Sequence, residues 1–155
     1  MKELEDIHLT VFISNAGAGL RPIYRTLEQR SAVDIASNVS LNALFPLHLL
    51  RHLLPTLIRN KPALIICIGS LADNGLPYLV PYAPSKSFMM SFAGCLARDM
   101  RIEGHDVEVI GMRTGRVTDV SFEKREPSWI FPNSGTFAKA VLGRVGCGEI
   151  ECIPY

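Results

Sequence analysis

The sequence of 155 residues has no Cys-x-x-Cys pair, no low-complexity linker and no internal repeat. It also lacks an excess of one charge sign and an uninterrupted long apolar run. Each absence excludes something. The four cysteines, Cys67, Cys95, Cys147 and Cys152, are scattered, and Cys67 sits in an apolar run. They read as reduced thiols of a reducing compartment, not as a disulfide framework or a zinc site. With a formal net charge of +1 and both signs interspersed, no field draws the chain to nucleic acid or to an anionic membrane surface. The most apolar long stretch, Leu41 to Ile58, is broken by Asn42, Pro46, His48, Arg51, His52 and Pro55. A bilayer centre would penalise those groups, so the stretch reads as a buried helix. Met1 to Asp6 is polar and charged and only a short apolar run follows. No secretion signal is expected, which predicts a cytoplasmic location.

What is present describes one globular domain over 1–155. Apolar residues make up 48% of the chain and charged residues 20%, enough for a real core at this length. Leu9 to Ser14 is a β-rich run, apolar on both faces, that ends at Asn15-Ala16-Gly17-Ala18-Gly19; it reads as a central strand and a tight turn. Tyr24 to about Arg59 is helical in pattern, with Pro46 as a kink site. Ala63 to Ile68 is a second buried strand, closed by Gly69-Ser70. A Gly- and Pro-rich loop follows from Leu71 to Pro81. Tyr82 to Glu103 is an amphipathic helix stopped by Gly104. Val107 to Met112 is a third strand, Arg113 to Trp129 is irregular with its charges read as a solvated loop, Thr136 to Val145 is a helix, and Ile150 to Ile153 a last short strand. Strands separated by helical crossovers pair in parallel. The fold class is therefore α/β, with a parallel sheet covered on both faces. Chemistry in such sheets collects at the carboxyl ends of strands, where Asn15, Ser70 and the Arg113–Thr118 stretch all fall.

Tyr82 and Lys86 stand one helical turn apart on one face. A phenol is a poor acid–base group at neutral pH, and a neighbouring cation stabilises its phenolate. Ser70, at the end of the preceding strand, can hydrogen-bond a carbonyl oxygen. A tyrosine proton donor, a serine and a lysine together suit protonation of a ketone oxygen as hydride arrives at carbon, with a nicotinamide as hydride source. Taken alone, Tyr-x-x-x-Lys reads as well as an ordinary helix start with a solvated lysine. The ensemble in chain order is more specific: Asn15-Ala16-Gly17, then Asn42, then Ile68-Gly69-Ser70, then Tyr82-Ala83-Pro84-Ser85-Lys86. Other patterns fail their own requirements. His48 and His52 have the i, i+4 spacing of metal ligands, but Leu49 stands where a metalloprotease needs glutamate, so packing or interface histidines are expected and no metal. Asn38-Val39-Ser40 is a chance sequon within a helix, and Pro22 breaks any dinucleotide fingerprint started by Gly17 and Gly19.

In that order and on those elements, the residues resemble the short-chain dehydrogenase/reductases, from about Leu4 to about Val120. The resemblance implies a Rossmann-type doubly wound sheet and an NAD(P)-dependent oxidoreductase. It assigns Tyr82 as general acid, Lys86 to the phenolate and the nicotinamide ribose, Ser70 to the substrate oxygen, and Asn42 to a water in the proton relay. It places Asn15, Ala16 and Gly17 beside the cofactor, and Val117 and Thr118 over the nicotinamide. The segments Leu4–Gly17 and Ser128–Tyr155 look most like the hydroxysteroid dehydrogenase and very-long-chain 3-oxoacyl-CoA reductase branch. That branch favours NADP over NAD, and it implies association with the endoplasmic reticulum by resemblance only. The expected substrate is a small apolar carbonyl or alcohol compound: a steroid, a 3-oxoacyl thioester or a polyketide-like ketone. Leu76, Pro77, Tyr78, Leu79 and Val80 and a lid around Trp129, Ile130 and Phe131 are expected to line its site.

Three departures from the family stand out. The interval from Ser70 to Tyr82 is one residue shorter than usual. Thr114-Gly115 stands where Pro-Gly is usual, and Asp119 where a threonine is, with Thr118 adjacent. No Gly-x-x-x-Gly-x-Gly turn occurs, so the chain corresponds to a partial Rossmann fold that lacks the first strands. A truncated product, a partial gene model and a non-catalytic descendant all give this pattern, and the last would act through contact with another chain or not at all. Leu9–Ser14 would then be an apolar edge strand, open to self-association, as would the Leu41–Ile58 helix. The expectation is that this chain alone binds NADPH or NADH weakly, because the pyrophosphate lacks its helix N-terminus. Calorimetric titration checks this, and micromolar binding to a monomer would refute it.

Overall fold

The computed structural model describes residues 7–23, 25–120 and 123–155. The polar opening segment Met1–Asp6 and the expected helix start at Tyr24 lie outside the described residues. Four strands, β1 (Val11–Ser14), β2 (Ala63–Ile68), β3 (Val107–Met112) and β4 (Glu151–Cys152), form one parallel sheet in the order β1-β2-β3-β4. The helices are α1 (Ala32–Val39), α2 (Phe45–Arg59), α3 (Tyr82–Ile102) and α4 (Ser134–Leu142). The α/β class and the parallel crossovers expected from the sequence are present. The last helix begins two residues earlier than expected because Asn133 caps it, accepting from the Thr136 N–H at 2.8 Å. No helix among the described residues is long and apolar enough to cross a membrane.

The register sorts the two faces. Phe12, Ile65 and Val109 lie side by side, as do Ser14, Cys67 and Gly111. This face packs on α2 and α3 through Leu50, Leu53, Leu57, Met89, Ala93 and Leu96, the larger core. On the other face only α4 packs among the described helices, with Val141 and Phe137 over Ile66, Ile110 and Met112. Coverage of both faces is thus complete on one side and partial on the other. β1 is an edge of this sheet, not a central strand, and Val11 and Ile13 are 47% and 49% exposed on the thinly covered face.

Between α1 and α2 the helix widens into a π turn, Ser40–Leu44, in which the Phe45 N–H reaches back to the Ser40 carbonyl. Pro46 supplies a cause. It has no N–H to donate to the Asn42 carbonyl four residues back, so the α ladder cannot pass through this point unbroken. Pro55 lies inside α2, which continues to Arg59. α3 tolerates Pro84 in its first turn, and Gly104, at φ 68°, ends it.

α3 lies close to the sheet because two glycines admit Met90. A Cβ on Gly111 would come within 2.5 Å of Met90 Cε, and one on Gly69 would overlap Met90 Sδ. Gly111→Ala is expected to destabilise the fold by about 1–3 kcal/mol, and Met90→Ala should remove most of that penalty. Urea unfolding of the two single variants and the double variant measures it. An undiminished cost in the Met90→Ala background would place the constraint elsewhere.

Candidate active site

The carboxyl ends of β1, β2 and β3 and the first turns of α3 meet at a cleft of about 670 Å³. Asn15 and Gly17 follow β1, Gly69 and Ser70 follow β2, Tyr82 and Lys86 come from α3, and Thr114 to Val117 follow β3. Ser70 and Tyr82 therefore open on the same cleft. Apolar side chains continue the wall down the thinly covered sheet face: Ile13, Ile66 and Ile68 from the strands, Phe137 and Val141 from α4.

Lys86 is 6% exposed, and its ammonium donates to the Ile68 carbonyl at 2.9 Å. Its Nζ lies 5.9 Å from the centroid of the Tyr82 ring. Burial pulls the Lys86 pKa below its ordinary value, and the Cys67 thiol nearby acts the other way. Cys67 itself is fully buried, and that burial pushes its pKa up to about 12. A lysine held this way loses rotamer freedom, so its charge is delivered to one place, under the phenol.

The turn after β1 is pinned by two buried asparagines. Asn42 accepts from the Ala18 N–H at 2.9 Å and donates to the Ala18 carbonyl at 2.9 Å, and Asn38 donates to the same carbonyl at 2.7 Å. Gly17 fits because it has no side chain. A Cβ there would stand 2.8 Å from Asn42 Oδ1 and 3.0 Å from Lys86 Nζ. The Asn42 side chain is thus occupied with the β1 turn and does not line the cleft. Ser70 accepts from the Ala72 N–H at 3.2 Å, which uses a lone pair and leaves its own hydrogen for another acceptor.

Not every expected residue reaches the cleft. Thr118 is fully buried, and its N–H and hydroxyl both meet the Pro132 carbonyl, at 2.8 and 3.3 Å. Val117 and Val120 line the cleft instead. Ala16 is exposed beside the cleft rather than in its wall. Leu76 to Val80 are not part of the wall either, and Trp129, at 88% exposed, stands in solvent. The Arg113–Arg125 segment is not simply a solvated loop. Arg113 Nε is 2.6 Å from Asp73 Oδ2, its Nη1 is 2.8 Å from Glu151 Oε2, and Arg116 pairs with Glu123 at 3.2 Å. Part of the signal was available in the topology, since Arg113 directly follows β3, Glu151 opens the neighbouring β4 and Asp73 lies in the turn after β2. Thr114, which stands where the family has proline, does reach the cleft. Its hydroxyl oxygen is buried with no hydrogen-bond partner among the described residues, and the residue lines the cleft. His48 and His52 are exposed on α2, and no three metal-ligating side chains gather among the described residues.

The pattern of the short chain dehydrogenase family matches residues 2–129. The chain belongs to that family. It is 28% identical over 152 residues to a very-long-chain 3-oxoacyl-CoA reductase of Neurospora crassa, covering 97% of this chain and 45% of that protein. A Caenorhabditis elegans protein named as a steroid dehydrogenase is 26% identical over 148 residues, covering 94% of this chain and 46% of its own. The chain thus spans about half the length of the curated relatives it matches. In fold it superposes on the bulky-bulky ketone specific alcohol dehydrogenase from Comamonas testosteroni with a TM-score of 0.80 at 21% identity, over 97% of this chain and 56% of that one. The family implies NAD(P) as cofactor. The described residues fit its nicotinamide riboside half: a lysine ammonium, a phenol and the unpartnered Thr114 hydroxyl border one cleft beside backbone that carries no side chain at Gly17 and Gly115.

Burial of Lys86 has a sign that can be measured. Its folded-state pKa lies below the 10.5 of the free side chain. Between those two values the unfolded chain binds more protons, so stability rises with pH across that window and the burial penalty is fully present below it. Relative to Lys86→Met, the native protein should therefore gain stability as the pH is raised from neutral toward 10.5. Denaturant unfolding at a series of pH values tests this; a difference independent of pH would mean the ammonium is hydrated.

Proposed function

We propose that this chain forms the catalytic half of an NAD(P)-dependent reductase acting on a ketone of an apolar substrate. The convergence of Ser70, Tyr82 and Lys86 on one cleft, with the ammonium beneath the phenol ring, carries the reading. A nicotinamide held beside Lys86 and Thr114 would supply hydride chemistry at the carbonyl carbon. Tyr82 donates its phenolic proton to the carbonyl oxygen, which becomes the alcohol oxygen. Ser70 donates a hydrogen bond to that oxygen and holds it at the phenol. Lys86 stabilises the phenolate left behind and, with Thr114 and the Asn15–Gly17 turn, would hold the nicotinamide riboside. Asn42 keeps the role of placing a relay water, through its main chain, because its side-chain amide is engaged by Ala18.

The substrate is read as apolar from Ile13, Ile68, Val117, Val120 and Phe137 in the cleft wall. Among a steroid, a polyketide-like ketone and a 3-oxoacyl thioester, the thioester is favoured by the name of the Neurospora crassa relative. NADP is preferred over NAD on the same branch, and cytoplasmic placement with endoplasmic reticulum association belongs to the same proposal. A second reading is favoured by the half-exposed Val11 and Ile13 on β1 and by Leu41, Leu44 and Phe45, exposed by 38–51%. In it the chain is a non-catalytic binding module that self-associates or docks on another chain.

In a protein carrying this sequence, reduction of a medium-chain 3-oxoacyl thioester by NADPH is expected, with Tyr82→Phe lowering kcat by about 10²–10⁴-fold. Nicotinamide absorbance follows it. Equal turnover in the variant would assign the proton to another group, and no turnover in either would leave the binding-module reading standing.

A further inference from the structure

Resting on the assignment of Ser70 to the substrate oxygen, we propose that Arg113 is a positioning residue for that hydroxyl, acting through Asp73. The connection is a chain of short polar contacts. Ser70 is the N-cap of the short 3₁₀ turn Leu71–Asn74, whose Ala72 N–H donates to Ser70 Oγ. That donor selects which lone pair of Ser70 is used, and hence where its hydrogen can point. The next residue in the turn, Asp73, has a side chain only 3% exposed. One of its carboxylate oxygens meets Arg113 Nε at 2.6 Å, and the other, Oδ1, is buried with no partner among the described residues. Arg113 is in turn held from the far side by Glu151 at 2.8 Å and through its own N–H by the Cys152 carbonyl at 2.9 Å.

A buried carboxylate with a single charged partner depends on that partner. The backbone on either side of Ser70 is already tied to the end of β3: the Gly69 N–H donates to Met112 O at 2.8 Å and the Leu71 N–H to Thr114 O at 3.0 Å. Residues 72–74 have no such tie to the sheet. They pack on α3, with Ala72 buried, and the ion pair is their polar tie to the end of β3. Without Arg113, Asp73 turns toward solvent and takes the turn with it, and the Ala72 N–H leaves Ser70 Oγ. The Leu71 tie and the β2 core have no reason to follow. Glu151 fixes the guanidinium in its plane, so its loss should act in the same direction and more weakly.

The test is amide hydrogen exchange resolved by residue on the full chain, with Arg113→Met, Arg113→Lys and Glu151→Gln. Arg113→Met should speed exchange at Ala72 and Asp73 by tenfold or more while Ile65, Ile66 and Val109 keep their native rates. Arg113→Lys, which retains a cation, should restore most of the protection at Ala72, and Glu151→Gln should lose it only in part. Uniform acceleration over the whole chain would mean that Arg113 serves global stability, and unchanged exchange at Ala72 would mean that the turn holds itself; either overturns the proposal. Should Arg113→Met not fold, Glu151→Gln decides alone: selective loss at Ala72 supports the proposal and its absence overturns it. These readouts need no turnover, so they stand apart from the reductase reading. Where ketone reduction is measured, Arg113→Met should lower kcat with the KM for NADPH unchanged, whereas absent turnover in the native protein counts against the reductase reading and not against the ion-pair device.

Discussion

The approach of α3 to the sheet governs what the site can be. Tyr82 and Lys86 are useful only if the first turns of α3 lie against the ends of β1 and β2, and a side chain at either Gly69 or Gly111 would hold the helix off through Met90. Because the two glycines admit Met90, Lys86 reaches the Ile68 carbonyl and the β1 turn lies close to the same ammonium, with Gly17 too near Asn42 Oδ1 to carry a Cβ. The same packing removes the lysine from water. A buried ammonium costs stability unless something uses it, which is why its single carbonyl partner and its place beneath a phenol ring matter more than the Tyr-x-x-x-Lys spacing itself.

The elements and their order were legible because the six apolar residues of β2 and the run Val109–Met112 of β3 cannot be satisfied on an open surface, and helical crossovers between them leave parallel pairing as the outcome. Ser70, Tyr82 and Lys86 were legible for the same reason, since each stands at a strand's carboxyl end or in the turn of helix above it. Less could be read where a residue has two uses. Asn42 was readable as a site residue, but not that its amide would be occupied by Ala18; that depends on how the π turn rotates the helix, and the turn depends on a proline four residues on. Thr118 looked available because it lies near the expected segment, yet backbone pairing with Asn133 draws it inside. A charge directly after a strand reads as solvated, and Arg113 is instead paired with Asp73 and Glu151. Its partners come from two other strand ends, and only the sheet order brings them together.

Two polar sets hold the turns that border the cleft. Asn38 and Asn42 serve the main chain and hold the β1 turn without charge. Asp73 and Arg113 hold the β2 turn with charge. Amide-to-backbone bonds tolerate small shifts of either partner, because a second lone pair or hydrogen remains. The Asp73 carboxylate is held by one short ionic contact, so its place depends on Arg113 keeping its own. The β1 turn should therefore be the stiffer wall of the cleft, and the Ser70 turn the one whose position answers to a single interaction.

The two faces of the sheet divide the work unevenly. The α2–α3 face buries thirteen residues in one cluster, including Leu50, Leu57, Ile65 and Met89, while the α4 face buries four. Every side chain in the proposed proton path is mounted on the thick side or on a strand end that the thick side secures: Tyr82 and Lys86 on α3, Ser70 after β2. Hydrophobic stabilisation scales with the apolar area removed from water, so local opening should begin at the thin face, around Val11, Ile13 and α4, where apolar side chains are still half in solvent. That opening changes the apolar wall of the cleft before it disturbs the phenol, the ammonium or the serine. The chemistry and the apolar binding wall of this cleft thus rest on parts of the fold with different stabilities, and an occupant that covers the thin face would stabilise the wall without moving the catalytic cluster.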